Sequence, residues 1–210
     1  MQLSFSIILP IKNLNQSKTR LRHSLSDQNI KDLTLNLMNK TINVALEAEI
    51  KNIFILSSDK TIKSQLIDKK ATFVYQKEGD LNKAVKNGFD LSFSKEHTPI
   101  FLPCDLPLIN KANILNIKTI MNNKFDVCIA PSESDFGTNC LAWSYKKKNL
   151  FHGFLGKYSY NRYKDFFFKN RLKYFSLDNP ELAFDLDTSE NLAYFKKTHN
   201  ELYKHLLKTH

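Results

Sequence analysis

Short apolar runs alternate with helix-length amphipathic stretches along nearly the whole chain, and this alternation limits the architecture more than any other feature. Phe5–Leu9 is a continuous apolar run closed by Pro10, as expected of a strand covered on both faces. Ile30, Leu33, Leu37, Met38, Thr41 and Val44 then recur at helical spacing, which predicts a helix over Asp27–Glu47 capped by Ser26. Strands are predicted at Ile53–Leu56, Thr72–Tyr75, Ile100–Leu102, Val127–Ala130, Cys140–Ser144 and Tyr174–Leu177. Between them fall a short helix capped by Ser58 or Asp59 and reaching Ile67, and helices at Leu81–Phe93, Ala112–Met121 and Tyr160–Lys169. One last helix starts at Ser189 with Leu192, Phe195, Leu202 and Leu206 on a stripe. Such alternation predicts an α/β protein: a mostly parallel central sheet with helices on both faces, in three layers, forming one domain over residues 1–210.

Composition removes several classes of function. The longest apolar stretch near the start ends at Lys12, too short for a membrane span, and no leader pattern precedes it, so a cytoplasmic protein is expected. Cys104, Cys128 and Cys140 are odd in number and lack C-x-x-C spacing, which argues against a disulfide framework or a structural zinc site. The net charge of +10 favours anionic partners such as nucleotides or phosphorylated metabolites. Its lysines are spread along the chain, and Lys146–Lys148 is the densest run, so nucleic-acid binding is not the expected role.

In open α/β sheets ligands gather at the carboxyl ends of strands, and the unusual residues of this chain stand there. The first strand leads into a loop carrying Lys12, Lys18 and Arg20, cations suited to phosphate. That loop has no glycine, so it is not a Walker loop. The fourth strand runs into Asp105-Leu106-Pro107; helix capping by Asp105 is the weaker reading, because the next helix begins near Asn110. In an extended Phe184-Asp185-Leu186-Asp187-Thr188 segment, Asp185 and Asp187 share one face while Leu186 faces the other way. Two carboxylates so close repel unless a cation sits between them, and a hard cation takes oxygen ligands. Thr188 or Asp187 could instead cap the last helix, which leaves Asp185 unexplained. Three of the five glycines fall in Gly137-Thr138-Asn139 and Gly153-Phe154-Leu155-Gly156, the latter just before Ser159 and a helix start that favours anions.

These motifs, in this order, resemble the 2-phospho-L-lactate guanylyltransferases of coenzyme F-420 biosynthesis, a branch of the GT-A-like nucleotidyltransferases. The resemblance rests on Pro10-Ile11-Lys12, Ser17-Lys18-Thr19-Arg20-Leu21, Leu81-Asn82, Asp105-Leu106-Pro107-Leu108, Gly137-Thr138-Asn139, Phe154-Leu155-Gly156 with Ser159-Tyr160, and Asp185-Leu186-Asp187-Thr188. It implies transfer of GMP from GTP to a small phosphorylated acid (2-phospho-L-lactate, phosphoenolpyruvate or 3-phosphoglycerate) with release of pyrophosphate. It further implies that Lys12, Lys18 and Arg20 face the GTP phosphates and that Leu81 and Asn82 lie near the nucleotide. Asp105, Asp185 and Asp187 would hold Mg2+, and Thr138, Gly156 and Ser159 would hold the acceptor. The chain departs from the family pattern at Asp80, where glycine is usual, at Cys104, and at Tyr163, where histidine is usual. The rival readings are another GT-A-like transferase with a different nucleotide, and a non-catalytic nucleic-acid-binding domain. The sequence leaves the oligomeric state, a homodimer included, open.

Overall fold

The computed structural model describes residues 3–66, 70–77 and 79–208. Among them, seven strands form one sheet: β1 (Phe5–Pro10), β2 (Asn52–Ser57), β3 (Thr72–Tyr75), β4 (Thr98–Phe101), β5 (Val127–Pro131), β6 (Thr138–Trp143) and β7 (Tyr174–Ser176). The order is β3-β2-β1-β4-β6-β5-β7. Pairs β1–β2, β2–β3, β1–β4 and β5–β7 are parallel, whereas β6 runs antiparallel to β4 and to β5. The expected mostly parallel sheet is therefore present, with one reversed strand inside it. That reversal places the start of β6 at the same edge as the ends of the other six strands.

Eight α-helices accompany the sheet among the described residues: α1 (Asp27–Glu47), α2 (Thr61–Ser64), α3 (Leu81–Phe93), α4 (Lys111–Asn122), α5 (Ser159–Lys169), α6 (Pro180–Ala183), α7 (Ser189–Thr198) and α8 (Asn200–Leu206). Strand alternation sorts the core into two layers. Ile7, Leu9, Ile53, Ile55, Ile100 and Leu102 face α1 and α4 through Met38, Ile42, Ile114 and Ile117. Ile8, Leu56, Phe101, Ile129, Leu141 and Trp143 face α3 and α5 through Val85, Phe89, Tyr163 and Phe167. Helix α3 lies so close to the sheet that a Cβ on Gly88 would stand 2.6 Å from Ile8 Cγ2, so a side chain there would push the layers apart. A third cluster joins the outer part of α1 to the C-terminal region through Leu33, Leu37, Leu186, Leu192, Phe195 and Leu206.

Two expectations need correction, and one helix was not expected. The predicted last helix is two helices, α7 and α8, parted at His199, whose backbone (φ −132°, ψ 47°) is not helical. The break lets Leu206 turn back onto α1, where Asn36 donates to the Leu206 carbonyl at 2.9 Å. The short helix after β2 covers Thr61–Ser64; Ile67, its expected end, lies outside the described residues. Helix α6, four residues opened by Pro180 behind the Asn179 cap, is absent from the sequence reading because one helical turn carries no periodicity. No helix among the described residues is long and apolar enough to cross a membrane.

Candidate functional site

Lys12, Asp59, Asp105, Ser132 and Thr138 follow or open strands at one edge of the sheet, and the segments behind them fold over that edge. Local chemistry fixes the basic loop. Asp59 Oδ2 accepts the Leu14 N–H at 3.0 Å, while its Oδ1 accepts the Thr61 N–H and hydroxyl. Burial opposes charge on Asp59, but these bonds and the charge of Lys31 outweigh it and hold its pKa below the ordinary value. The contribution is therefore present at neutral pH and fades as acid protonates the carboxylate. Asp59→Ala leaves the buried Leu14 amide unpaired and is expected to cost about 1–3 kcal/mol in a urea titration at pH 7.5; an unchanged midpoint would contradict this role.

Lys18 adopts a left-handed backbone (φ 45°), uncommon for a residue with a side chain. Its side chain is 6% exposed. Its Nζ donates to the Leu186 carbonyl at 2.6 Å and lies 3.9 Å from Asp105 Oδ2. The Leu186 N–H in turn donates to the Asp105 carbonyl at 2.9 Å, so residues 184–188 are laid beside the end of β4. Leu186 is fully buried, and the carboxylates on either side of it turn back toward the sheet edge. Asp185 is bonded by Ser132 Oγ at 3.3 Å and Ser134 Oγ at 3.2 Å, and Asp187 pairs with Arg20 at 3.6 Å. Thr188, not Asp187, caps α7, in a capping box with Asn191. Asn110 caps α4 in the same way, so Asp105 is free of capping duty.

The electrostatics match a site short of positive charge. Burial pushes the Asp105 carboxyl up to about 6; Lys18 and Lys12 pull it down, and Asp185 and Asp187 push it further up. Proximity to Lys18 thus loses to burial and two like charges. Asp105 Oδ1 is buried without a hydrogen-bond partner. Burial also raises Asp185, with Asp187 adding repulsion and the Ser134 and Ser132 hydroxyls offsetting part of it. Among the described residues no three His, Cys, Asp or Glu side chains already stand at metal-ligand spacing. The three aspartates feel one another's charge while each is drawn to its own partner. Beside them, burial pushes the Cys104 thiol up to about 12, which disfavours the thiolate.

Across the edge, Thr138 Oγ1 and Ser159 Oγ share a buried hydrogen bond of 2.8 Å, which ties the start of β6 to the start of α5. Ser159 is the first residue of α5 and not its cap; Tyr158 occupies the cap position in a left-handed conformation and makes no side-chain cap bond. Gly156 has φ +121°, a backbone conformation that residues with side chains rarely adopt. Leu81 opens α3 and is partly exposed, while the Asn82 side chain is bonded to the backbone of Leu155. Tyr163, the departure from the usual histidine, is fully buried, and its hydroxyl accepts the Phe154 N–H at 3.1 Å.

The structure therefore brings Lys18, Arg20, Asp105, Asp185 and Asp187 together, with Lys12 close enough to bias Asp105, and groups Asn82, Thr138, Gly156 and Ser159 around a second loop. The loop Ser132–Asp135 joins the two groups, since Ser132 and Ser134 hold Asp185 while the Asp135 carbonyl accepts the Tyr158 N–H. Sequence reasoning passes over Ser132 and Ser134. Their place after a strand was the available signal.

A doubly wound sheet of this order, with a basic loop and half-buried carboxylates at its carboxyl edge, defines a nucleotidyltransferase-like α/β fold. Solved structures bear out that fold. A protein described as a nucleotide-diphospho-sugar transferase, from Desulfovibrio desulfuricans, superposes with a TM-score of 0.78 at 15% identity, covering 98% of this chain and 97% of the other. A 4-diphosphocytidyl-2C-methyl-D-erythritol synthase from Anaerococcus prevotii gives 0.63 at 12% identity, covering 99% and 97%. The family described as "Guanylyl transferase CofC like" matches residues 5–205, and the chain belongs to it. A 2-phospho-L-lactate guanylyltransferase from a Methanocaldococcus species is 34% identical over 191 residues, which are 89% of this chain and 79% of the relative.

Proposed function

We propose that the protein transfers GMP from GTP to a small phosphorylated acid, 2-phospho-L-lactate first among the acceptors, and releases pyrophosphate. The observation that carries this reading is the buried, unpartnered Asp105 Oδ1 beside Asp185 and Asp187, facing a basic loop. Family membership and the name of the 34% identical relative support the choice of GTP and of the acid.

A divalent cation, Mg2+ by the chemistry of an all-oxygen donor set, fits these residues, with Asp105, Asp185 and Asp187 as the ligands. When bound it supplies neutralisation of the carboxylates and of the triphosphate. The rest of the chemistry belongs to the chain. Lys12, Lys18 and Arg20 hold the GTP phosphates, Lys12 free in solvent at the end of β1 and Lys18 fixed at the carboxylate centre. Leu81 and Asn82 border the nucleotide at the start of α3. Thr138, Gly156 and Ser159 receive the acceptor's phosphate or carboxylate at the start of α5, where the helix terminus favours negative charge. The acceptor's phosphate oxygen is a nucleophile at neutral pH, so no strong base is needed. It forms a bond to the α-phosphorus as the α–β bridging P–O bond breaks and pyrophosphate departs. Catalysis then consists of holding two anions in line.

Mass spectrometry of reactions with GTP and, separately, 2-phospho-L-lactate, phosphoenolpyruvate and 3-phosphoglycerate tests this directly. A guanylylated acid together with pyrophosphate is expected, the phospholactate product predominating. Pyrophosphate release from none of the three would overturn the reading. Turnover only with CTP or a sugar phosphate would move it to another branch of the fold.

A further inference from the structure

We infer that Asn82 is a positioning residue for the acceptor loop, coupling the helix that borders the nucleotide to the segment that receives the acid. This rests on the reading of Gly156 and Ser159 as acceptor-binding and refines the place of Asn82 in it. The Asn82 carboxamide pairs with the backbone of one residue 73 positions away: Oδ1 accepts the Leu155 N–H at 2.7 Å and Nδ2 donates to the Leu155 carbonyl at 3.1 Å. A primary amide presents a donor and an acceptor side by side, so it pairs with backbone as a neighbouring strand would. Both polar atoms of the side chain are engaged in this contact, which directs them to the loop.

The loop is made for that clasp. Leu155 is buried with the aromatic cluster under α3 and α5, so its N–H and carbonyl need partners from the protein. Flanking groups are held from the other side, by α5 alone: Tyr163 Oη accepts the Phe154 N–H, and Arg162 donates to the carbonyls of Phe154 at 2.8 Å and Lys157 at 3.1 Å. Among the described residues, Asn82 is thus the group that hydrogen-bonds residues 153–157 to α3. Gly153 completes the fit, because a Cβ there would stand 3.0 Å from Asn82 Oδ1 and 3.1 Å from its Cβ. Gly156, with its positive φ, follows one residue after the clasped peptide and leads directly into α5. A displacement of the α3 terminus is therefore carried straight to the acceptor loop.

Two variants address the contact from opposite sides. Asn82→Ala removes both bonds, and Gly153→Ala crowds the amide at Oδ1 and Cβ while leaving both of its bonding groups in place. Each is expected to raise the acceptor KM, about tenfold or more for N82A, because small displacements of a bound reactant are costly, while in G153A, which alters no group assigned to the nucleotide, the GTP KM stays within about twofold. A second readout needs no turnover: amide hydrogen exchange in the intact protein should show a protected Leu155 N–H that loses protection in N82A, with the amides inside α3 unchanged. Unaltered Leu155 exchange in N82A would overturn the inference. So would a raised GTP KM beside an unchanged acceptor KM in both variants. If the wild-type protein guanylylates none of the acids, the proposed function fails and the exchange experiment still decides the clasp.

Discussion

Replacing Asp105 by asparagine is expected to make the protein inactive and, above pH 6, more resistant to heat. The carboxyl sits near pKa 6 in the fold, against an ordinary value of 3.8, because burial and the charges of Asp185 and Asp187 disfavour ionisation. A folded pKa above the unfolded one means that folding favours the protonated acid. The penalty is absent below about pH 4, grows through the interval between the two values, and is complete above 6. Asparagine removes the charge at nearly the same size. The gain at pH 7.5 is on the order of 1–3 kcal/mol, reduced because Lys18 loses a nearby opposite charge. That corresponds to roughly 2–8 °C for a domain of this size. Melting curves without divalent cations at pH 7.5 and pH 4 measure it, and the difference between variant and wild type should shrink toward zero at the lower pH. Guanylyl transfer should fall on the order of 10³-fold, the scale of a lost transition-state charge contact. A variant less stable at pH 7.5 would show that the three carboxylates do not strain the fold.

The opposite sign is expected at Lys18. Lys18→Met keeps the buried stem and removes the ammonium that binds the Leu186 carbonyl and offsets Asp105. The loss leaves a carbonyl without its donor and three carboxylates with less compensation, a cost of about 2–4 kcal/mol at pH 7.5. At pH 5 Asp105 is mostly protonated, and the cost should be visibly smaller. Urea unfolding at the two pH values reads the difference, and GTP turnover should drop with it. Combining K18M with D105N should restore part of the stability, since neighbouring charges are not additive. Equal losses at both pH values, with strict additivity in the double variant, would assign Lys18 a purely packing role.

Much of this arrangement can be read before any coordinates exist, and the reason differs by element. Periodicity is decisive where an element is long and one-sided, as in α1 and α3, whose ends fall at the predicted residues. It says nothing about sheet order, so the reversed β6 inside the sheet had no sequence signal. It also misleads at His199, where the apolar stripe continues through a break in the backbone because Leu202 and Leu206 still return to the same cluster. At the site, residue type singled out Asp105 after a strand and Asp185 and Asp187 in an extended segment, and the structure places the three near enough to act on one another's charge. What it could not supply was pairing. Ser132 and Ser134 hold Asp185, and Asp59 fastens the basic loop, through contacts 45 to 53 residues apart in the chain.

The seating of Leu186 has a bearing on how the protein comes into being. Two of the three carboxylates arrive on a segment synthesised after every strand of the sheet, and that segment reaches β4 only by fitting Leu186 between α1 and the C-terminal helices. On the proposed function, a chain whose sheet has formed still lacks two of its three proposed metal ligands until that return is made. Guanylyl transfer would then report the seating of Leu186 as well as the chemistry.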